Sequence, residues 1–463
     1  MRSQLPGDAR EVAVRSPGRK VLYNTVFKLA DVLGFWRRPQ NLDPDDYKSI
    51  WDYTYWQYKS RTPIVRPEAG LDLAPFHAAR EQIGVSLLPA RFEGSASVEM
   101  SAVGDLTSTA GVENSQGRFY EHVADLIFDT DLSIANLEST LTKGEIGDFV
   151  LPDGEEPMIN ATLEQYHAFK AHQGRQYTIL QTANNHILDR GMEGFDTTHD
   201  QLEADGFLYL GTNRTPEAQK QGLIVTFSGL RLGLVGATYG INSRPFPDGK
   251  EYLVNLVPFH RFRGPVDLSL LEDQIGYCKS QRCDFVTLCL HWGLEFEFFP
   301  RQEQVDITHA LVESGADLII SHHAHNIQPL ELYHTKRDPD RIAPILYGLG
   351  NLSSLIRAPH SVLSLIANMT VAKGWLDGLE KTLVERVTLT PVVQMEYDLE
   401  GTPYVRVEKL NDALREAEHD EGTEAYLNQA TGCADLVLGT SWRRWVQHYP
   451  GQRRQRPPSP VPA

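Results

Sequence analysis

The chain has 463 residues, 41% hydrophobic and 23% charged, an ordinary balance for a globular protein with a sizeable core. Its formal net charge of -17 argues against a nucleic-acid binder, which needs a basic face, and against adhesion to an anionic membrane surface. An anionic small-molecule or polymer substrate stays compatible with that charge if metal ions supply a local positive field.

Four cysteines, Cys278, Cys283, Cys289 and Cys433, form no CxxC pair. In so long a chain they are not a disulfide framework, and a reduced, cytoplasmic compartment is expected. The first 20 residues lack the apolar core of a secretory signal. Val21 to Trp36 is more apolar, but Lys28 and Asp31 interrupt it and it is too short to span a bilayer. It reads as an amphipathic docking helix. No later segment qualifies as transmembrane, so no integral membrane segment is expected; oligomeric state is not encoded legibly. Asp43 to Tyr58 is crowded with Tyr47, Trp51, Tyr53, Tyr55, Trp56 and Tyr58. These rings predict a helix and loop packed on the main domain rather than an open aromatic surface. Pro63, Pro67 and Pro75 mark the loops around it.

From Ser97 the pattern becomes regular. Val98 to Val103 predicts a strand ending at Gly104-Asp105, and Leu132 to Ala135 a strand running into Asn136-Leu137-Glu138. Phe119 to Phe128 and Thr162 to His172 predict helices, and Tyr177 to Gln181 a strand ending before Asn184-Asn185-His186. Glu193 to Ala204 predicts a helix closed by Gly206. Leu223 to Phe227 and Arg231 to Ala237 flank Ser228-Gly229 as a hairpin would. Helices are expected over Leu268 to Gln281 and Gln302 to Ser314, and strands over Phe285 to Leu290, Leu318 to Ile320 and Pro344 to Gly348. Strands alternating with helices predict an α/β fold with a largely parallel centre. After Trp375 the chain looks β-like, then helical, and its Pro-rich basic tail is expected to be disordered. The expected division is 1–96 as an N-terminal helical extension packed on the core, 97–395 as the core domain, 396–450 as a C-terminal extension and 451–463 as the tail.

The polar residues at strand ends carry the chemistry. In open α/β sheets, ligands bind beyond the carboxyl ends of the strands. Here those ends hold Asp105, Glu138, Asn184-Asn185-His186, His291, and then His322, His323 and His325. In extended chain His323 and His325 point to one side, because side chains alternate with period two. A mixed carboxylate, amide and imidazole set suits one or two borderline divalent ions such as Mn, Fe, Zn or Ni. Two such ions would activate a water and clamp the oxygens of a tetrahedral transition state. Glu138 has the reach to bridge them. Asn185 can ligate while His186 faces the leaving group as general acid, with Asp189 orienting the imidazole.

VGDLTSTAG (103–111), IANLEST (134–140), TANNHILDRGMEGFDTTHDQLEADGFLYLGT (182–212), LCLHWGLEF (288–296), PRQEQVDITHALVESGADLIISHHAHNIQPLELY (300–333) and ILYGLGNL (345–352) together carry a family resemblance. Over about residues 97–395 the chain resembles the bacterial capsule-synthesis CapA family, associated with poly-γ-glutamate synthesis and distantly similar to calcineurin-like metallophosphoesterases. The resemblance implies an α/β/β/α sandwich. It assigns Asp105, Glu138, Asn185, His291, His323 and His325 to metal positions and His186 to catalysis. Trp292, Glu295, Gln328 and Asn351 match positions behind the ligands or along the substrate wall, and Asn184 is expected to join them. Calcineurin-like enzymes carry a histidine two residues after the first aspartate; Thr107 stands there, so one metal site is expected to be a ligand short. The implied activity is a metal-dependent hydrolase in which a metal-bound hydroxide attacks a phosphoester, amide-linked or other anionic substrate. Two alternatives are a non-catalytic accessory protein of poly-γ-glutamate synthesis or export, and a tailoring enzyme of a small-molecule pathway.

Overall fold

Strands that are apolar on both faces must be covered on both faces. The protein solves this with two sheets stacked on each other and helices on the outside. The computed structural model describes residues 16–40, 50–144, 158–259, 265–417 and 420–445, with residues 5, 7, 11 and 14 besides. The tail expected at 451–463 lies outside the described residues.

The first sheet contains β1 (Glu93–Leu106), β2 (Leu132–Leu137), β3 (Ile179–Gln181), β4 (Leu208–Leu210), then, later in the chain, β11 (Asn351–Ser353), β12 (Leu363–Leu376), β13 (Leu379–Leu399) and β14 (Thr402–Lys409). Its order is β14-β13-β12-β1-β2-β3-β4, with β11 pairing β1 in parallel. β1 to β4 are parallel to one another, and β12 to β14 run antiparallel as a meander. The second sheet contains β5 (Leu223–Phe227), β6 (Leu230–Thr238), β7 (Phe285–His291), β8 (Leu318–His322), β9 (Leu330–His334) and β10 (Ile342–Leu346), in the order β9-β10-β8-β7-β6-β5. The β5–β6 hairpin turns at Ser228 (φ 49°) and Gly229 (φ 78°), the left-handed pair that matches strand twist.

Three apolar layers follow from this stacking. Val98, Met100, Ile134 and Ile179 of one sheet meet Leu232, Leu234, Cys289 and Ile320 of the other. Beyond the first sheet, Ala135, Leu180 and Ile366 pack with Ile127 and Phe169 of the helices Ala124–Phe128 and Leu163–Lys170. Beyond the second, Leu288 and Ile319 pack with Ile275 and Leu311 of the helices Ser269–Ser280 and Gln302–Ser314. The result is the α/β/β/α sandwich. Its limits differ from the expected ones: β1 begins at Glu93, and β13 and β14 carry the sheet past residue 395 to Lys409. The meander is two consecutive hairpins, turning at Asp377-Gly378 (φ 52° and 82°) and at Glu400-Gly401 (φ 52° and 88°).

Ahead of the sandwich, α1 (Pro17–Leu33) and α2 (Ile50–Arg61) form a separate aromatic block. Ser16 caps α1 through the Arg19 amide, and Gly34 ends it with a left-handed φ of 65°. Phe27, Trp36, Tyr55 and Tyr58 are buried against one another, with Trp36 and Tyr58 ring centres 5.0 Å apart. The block leans on Phe296 and Ile356 of the sandwich, and Ile64 bridges Glu297 as a parallel partner. Of the aromatic stretch beginning at Asp43, residues 43–49 lie outside the described residues. Among the described residues, no helix is long and apolar enough to cross a membrane.

Candidate metal centre

The parallel strands all deliver their carboxyl ends to one edge of the sandwich. Asp105 sits at the end of β1, where its amide donates to Gly350 O at 2.9 Å. Glu138 follows β2, Asn185 and His186 follow β3, and His291 ends β7. His323 and His325 follow β8.

These side chains converge. His291 Nε2 lies 2.9 Å from Asn185 Oδ1 and 3.4 Å from Glu138 Oε1. His325 Nε2 is 3.7 Å from the same Glu138 oxygen, and its Nδ1 is 3.6 Å from Asp105 Oδ2. The His291 and His323 ring centres are 4.9 Å apart. Three sets have ligand atoms all within 4.8 Å of one another and could each hold a metal ion: Asp105, Glu138 and His325; Glu138, His291 and His323; and Glu295, His323 and His325. Glu138 belongs to two of them.

Glu138 also provides the test of fit. Both its carboxylate oxygens are buried and neither takes a hydrogen bond. A carboxylate stripped of water and left without donors is costly unless a cation meets it. Among the described residues, no lysine or arginine pairs with Glu138 or Asp105. The chemistry of the donor set, carboxylate with imidazole and amide, is that of a borderline divalent ion. The residues present therefore fit a metal.

His186 stands beside this cluster, tied by its Nδ1 to Asp189 Oδ2 at 2.6 Å. The same oxygen of Asp189 accepts the Ile159 amide at 2.6 Å. Asn184 accepts the His186 amide and donates to Leu137 O.

The family model described as bacterial capsule synthesis protein PGA_cap matches residues 99–354, more than half of the chain. The chain belongs to the PGA_cap family. The PGA biosynthesis protein CapA of Bacillus subtilis (strain 168) is 27% identical over 38% of this chain and 42% of its own length. The capsule biosynthesis protein CapA of Bacillus anthracis is 23% identical over 58% of this chain and 62% of its own. A probable polyglutamine synthesis accessory protein of Mycobacterium tuberculosis (strain ATCC 25618 / H37Rv) is 25% identical over 48% of this chain and 55% of its own. The chain thus spans about half the length of these curated relatives.

Within the PGA_cap domain, the expected residues differ in what they touch. His323 and His325 do converge, but not by strand alternation. Both leave the extended conformation, with φ of 88° and 53°, and it is this left-handed turn that aims them inward. His322 turns away and meets Val103 O at 3.0 Å. Trp292 does not line the site: it is fully buried in the outer apolar layer, and its indole donates to Ser321 Oγ. It follows His291 directly, so strand alternation sends it to the opposite face. Gln328 donates to Glu297 O, and Asn351 Oδ1 meets His325 Nδ1 at 2.8 Å, so both hold neighbours in position. Asn184 has both ends of its amide engaged with backbone and holds His186. Glu295 is nearer than a wall, with Oε1 4.0 Å from His325 Nε2. These two are the cluster's open edge, with side chains 11% and 12% exposed.

Other residues join the site unannounced. Asn136 donates to Asp105 Oδ1 at 2.8 Å and lies 3.1 Å from His291 Nδ1. Asn242 accepts from Asn185 and approaches His186 Nδ1 at 3.3 Å; the Tyr239 ring lies tilted against His323, with centres 4.4 Å apart. Asn136 had a signal, since it lies two residues before Glu138 on the same strand face. Tyr239 and Asn242 lie just past the carboxyl end of β6, where the strand-end rule also applies.

Electrostatics follow from burial. Burial lifts Glu138 to about 8, with His325 opposing the rise and Asp105 adding to it. Burial pushes His291 down to about 3. Burial would also lower His325, but Glu138, Asp105 and Glu295 together raise it to about 10. Asp105 is held below the ordinary carboxylate range: burial works against this, and the His325 hydrogen bond with the nearby imidazoles prevails. Burial opposes charge on His186 as well, yet Asp189 raises it above an ordinary histidine.

Proposed function

We propose that this PGA_cap protein is a metal-dependent hydrolase that cleaves a phosphoester or an amide bond in an anionic substrate connected with capsule or poly-γ-glutamate biosynthesis. The observation that carries this reading is Glu138, a buried carboxylate without hydrogen-bond donors inside a ring of imidazoles, with the His186–Asp189 pair beside it.

In this reading Asp105, Glu138 and His325 hold one divalent ion. Glu138, His291 and His323 hold a second, with Asn185 contributing its amide oxygen. Bound ions of this kind supply an acidified water and positive charge for the developing oxyanion. His186 delivers a proton to the leaving group from Nε2, because Nδ1 is committed to Asp189. Asp189 fixes the ring and favours its charged form. Asn136 and Asn351 hold Asp105 and His325 at the angles the ligands need.

A second reading is a non-catalytic accessory protein, in which the same cluster binds metal or polymer without turnover. It draws on the printed name of the Mycobacterium tuberculosis relative and on Thr107, whose hydroxyl is committed to Ser353 O.

The two are separated by elemental analysis after reconstitution with Mn, Zn and Fe, together with assays on phosphoesters and γ-glutamyl amides. The hydrolase reading expects divalent metal, lost in His323→Ala, and turnover on one of these substrates. His186→Ala is expected to keep its metal and lose roughly 10²–10⁴-fold in rate, the usual worth of a positioned acid. That loss should shrink on a nitrophenolate leaving group, which needs no proton. Metal without turnover on any substrate would leave the accessory reading standing.

A further inference from the structure

We infer that Trp56, in the N-terminal block, is a positioning residue that aims Glu295 into the metal cluster, where Glu295 supplies the ligand that Thr107 does not. This rests on the metal-site reading above and goes beyond it by bringing in a residue outside the 99–354 family domain.

Thr107 has its hydroxyl 2.6 Å from Ser353 O, turned into the backbone of β11. The place of a fourth donor beside Asp105, Glu138 and His325 must then be filled from elsewhere. Glu295 reaches it. Its Oε1 lies 4.0 Å from His325 Nε2, and its carboxylate forms a ligand group with His323 and His325. It thus faces one histidine from each of the two proposed ligand sets.

What turns that oxygen inward is the block. The Trp56 indole N–H donates to Glu295 Oε2, which commits one oxygen and leaves the other toward the imidazoles. The backbone around Glu295 is stitched to the same block. Ile64 N donates to Phe296 O at 2.9 Å, and Phe298 N donates to Ile64 O at 3.0 Å. Lys59, fully buried, pairs with Glu297 at 3.3 Å. Phe296 takes a left-handed φ of 59° between these two anchors. A group that holds a ligand from behind governs affinity almost as strongly as the ligand itself. It follows that docking of α2 and occupancy of the ion beside His325 are linked, each favouring the other.

The test is a cobalt(II) titration of the full chain, followed by visible absorption and by ions bound per chain. The wild type is expected to take up about two ions. Glu295→Gln should lose or greatly weaken one of them and change the cobalt spectrum. Trp56→Phe, which keeps the ring and removes the donor, should weaken the same ion by roughly 10–100-fold and leave the other unchanged. Hydrogen exchange should show residues 50–61 better protected with cobalt than without it in the wild type, and equally protected in Glu295→Gln. Circular dichroism of the metal-free variants checks folding; if Trp56→Phe fails to fold, Glu295→Gln and the exchange experiment decide alone. Two ions in the wild type, with both variants matching it, overturn this inference and spare the metal site. No cobalt uptake by the wild type overturns both.

Discussion

The aromatic block and the sandwich are held together by different means. In the sandwich, backbone meets backbone. A Cβ on Gly104 would lie 2.2 Å from Gly350 O and 2.6 Å from Ser364 Oγ, so β1 and the turn before β11 touch with no side chain between them. In the block, side chain meets side chain, and a backbone bridge at Ile64 ties it to the sandwich. Phe27, Trp36, Tyr55 and Tyr58 fill one cluster, and Lys59, Glu297 and Arg301 form a buried ionic group at its contact with the sandwich. The sandwich should therefore fail as a whole when its backbone contacts are wedged apart. The block should lose its grip one side chain at a time.

The largest expected effect tests the first half of that contrast. Gly104→Ala puts a methyl where a carbonyl stands, and should cost more than about 4 kcal/mol, or prevent folding, in chemical denaturation. A mild loss would mean the two backbones can separate cheaply. Next comes Phe27→Ala, which should cost about 3–5 kcal/mol of the block's docking. Hydrogen exchange should then rise across residues 17–61 while the strands of the sandwich stay protected. Loss of protection in both regions together would erase the distinction.

A smaller effect depends on pH. His360 is buried and its Nε2 donates to Ser60 O of α2, joining the two regions. Burial lowers it from 6.5 to about 4. The undocked or unfolded chain therefore binds the proton more readily between those values, and stability falls as pH drops through that window. The fall attributable to His360 should approach about 3 kcal/mol by pH 4, and His360→Gln should flatten it when urea midpoints are compared. An unchanged slope would remove His360 from this role. The smallest effect is expected from Lys59→Met, at about 1–3 kcal/mol by urea denaturation, because Arg301 still pairs with the abandoned Glu297.

The same contrast explains what could be read in advance. The gathering of polar strand ends is legible because strand periodicity is local and the carboxyl-end rule is general: Asp105, Glu138, Asn185, His291, His323 and His325 all reach one cluster. For Trp292, expected behind the ligands or along the wall, periodicity favours the former, since a neighbour of an inward His291 faces outward. The turn at His323 and His325 was illegible for another reason. A left-handed backbone in residues with side chains is imposed by surroundings, not announced by residue type. The pairing of β12 with β1 and the hold of Trp56 on Glu295 depend on partners far apart in the chain, and no local pattern encodes either.

The turn that carries His323 and His325 has an evolutionary consequence. Two residues with side chains sit there at φ 88° and 53°, conformations that cost roughly 1–3 kcal/mol each outside glycine. A lineage that no longer needed the cluster would gain stability by drifting to glycine or asparagine at these two positions. Such drift would be the earliest mark of a descendant that had kept the sandwich and abandoned the cluster, visible before any change in the strands themselves.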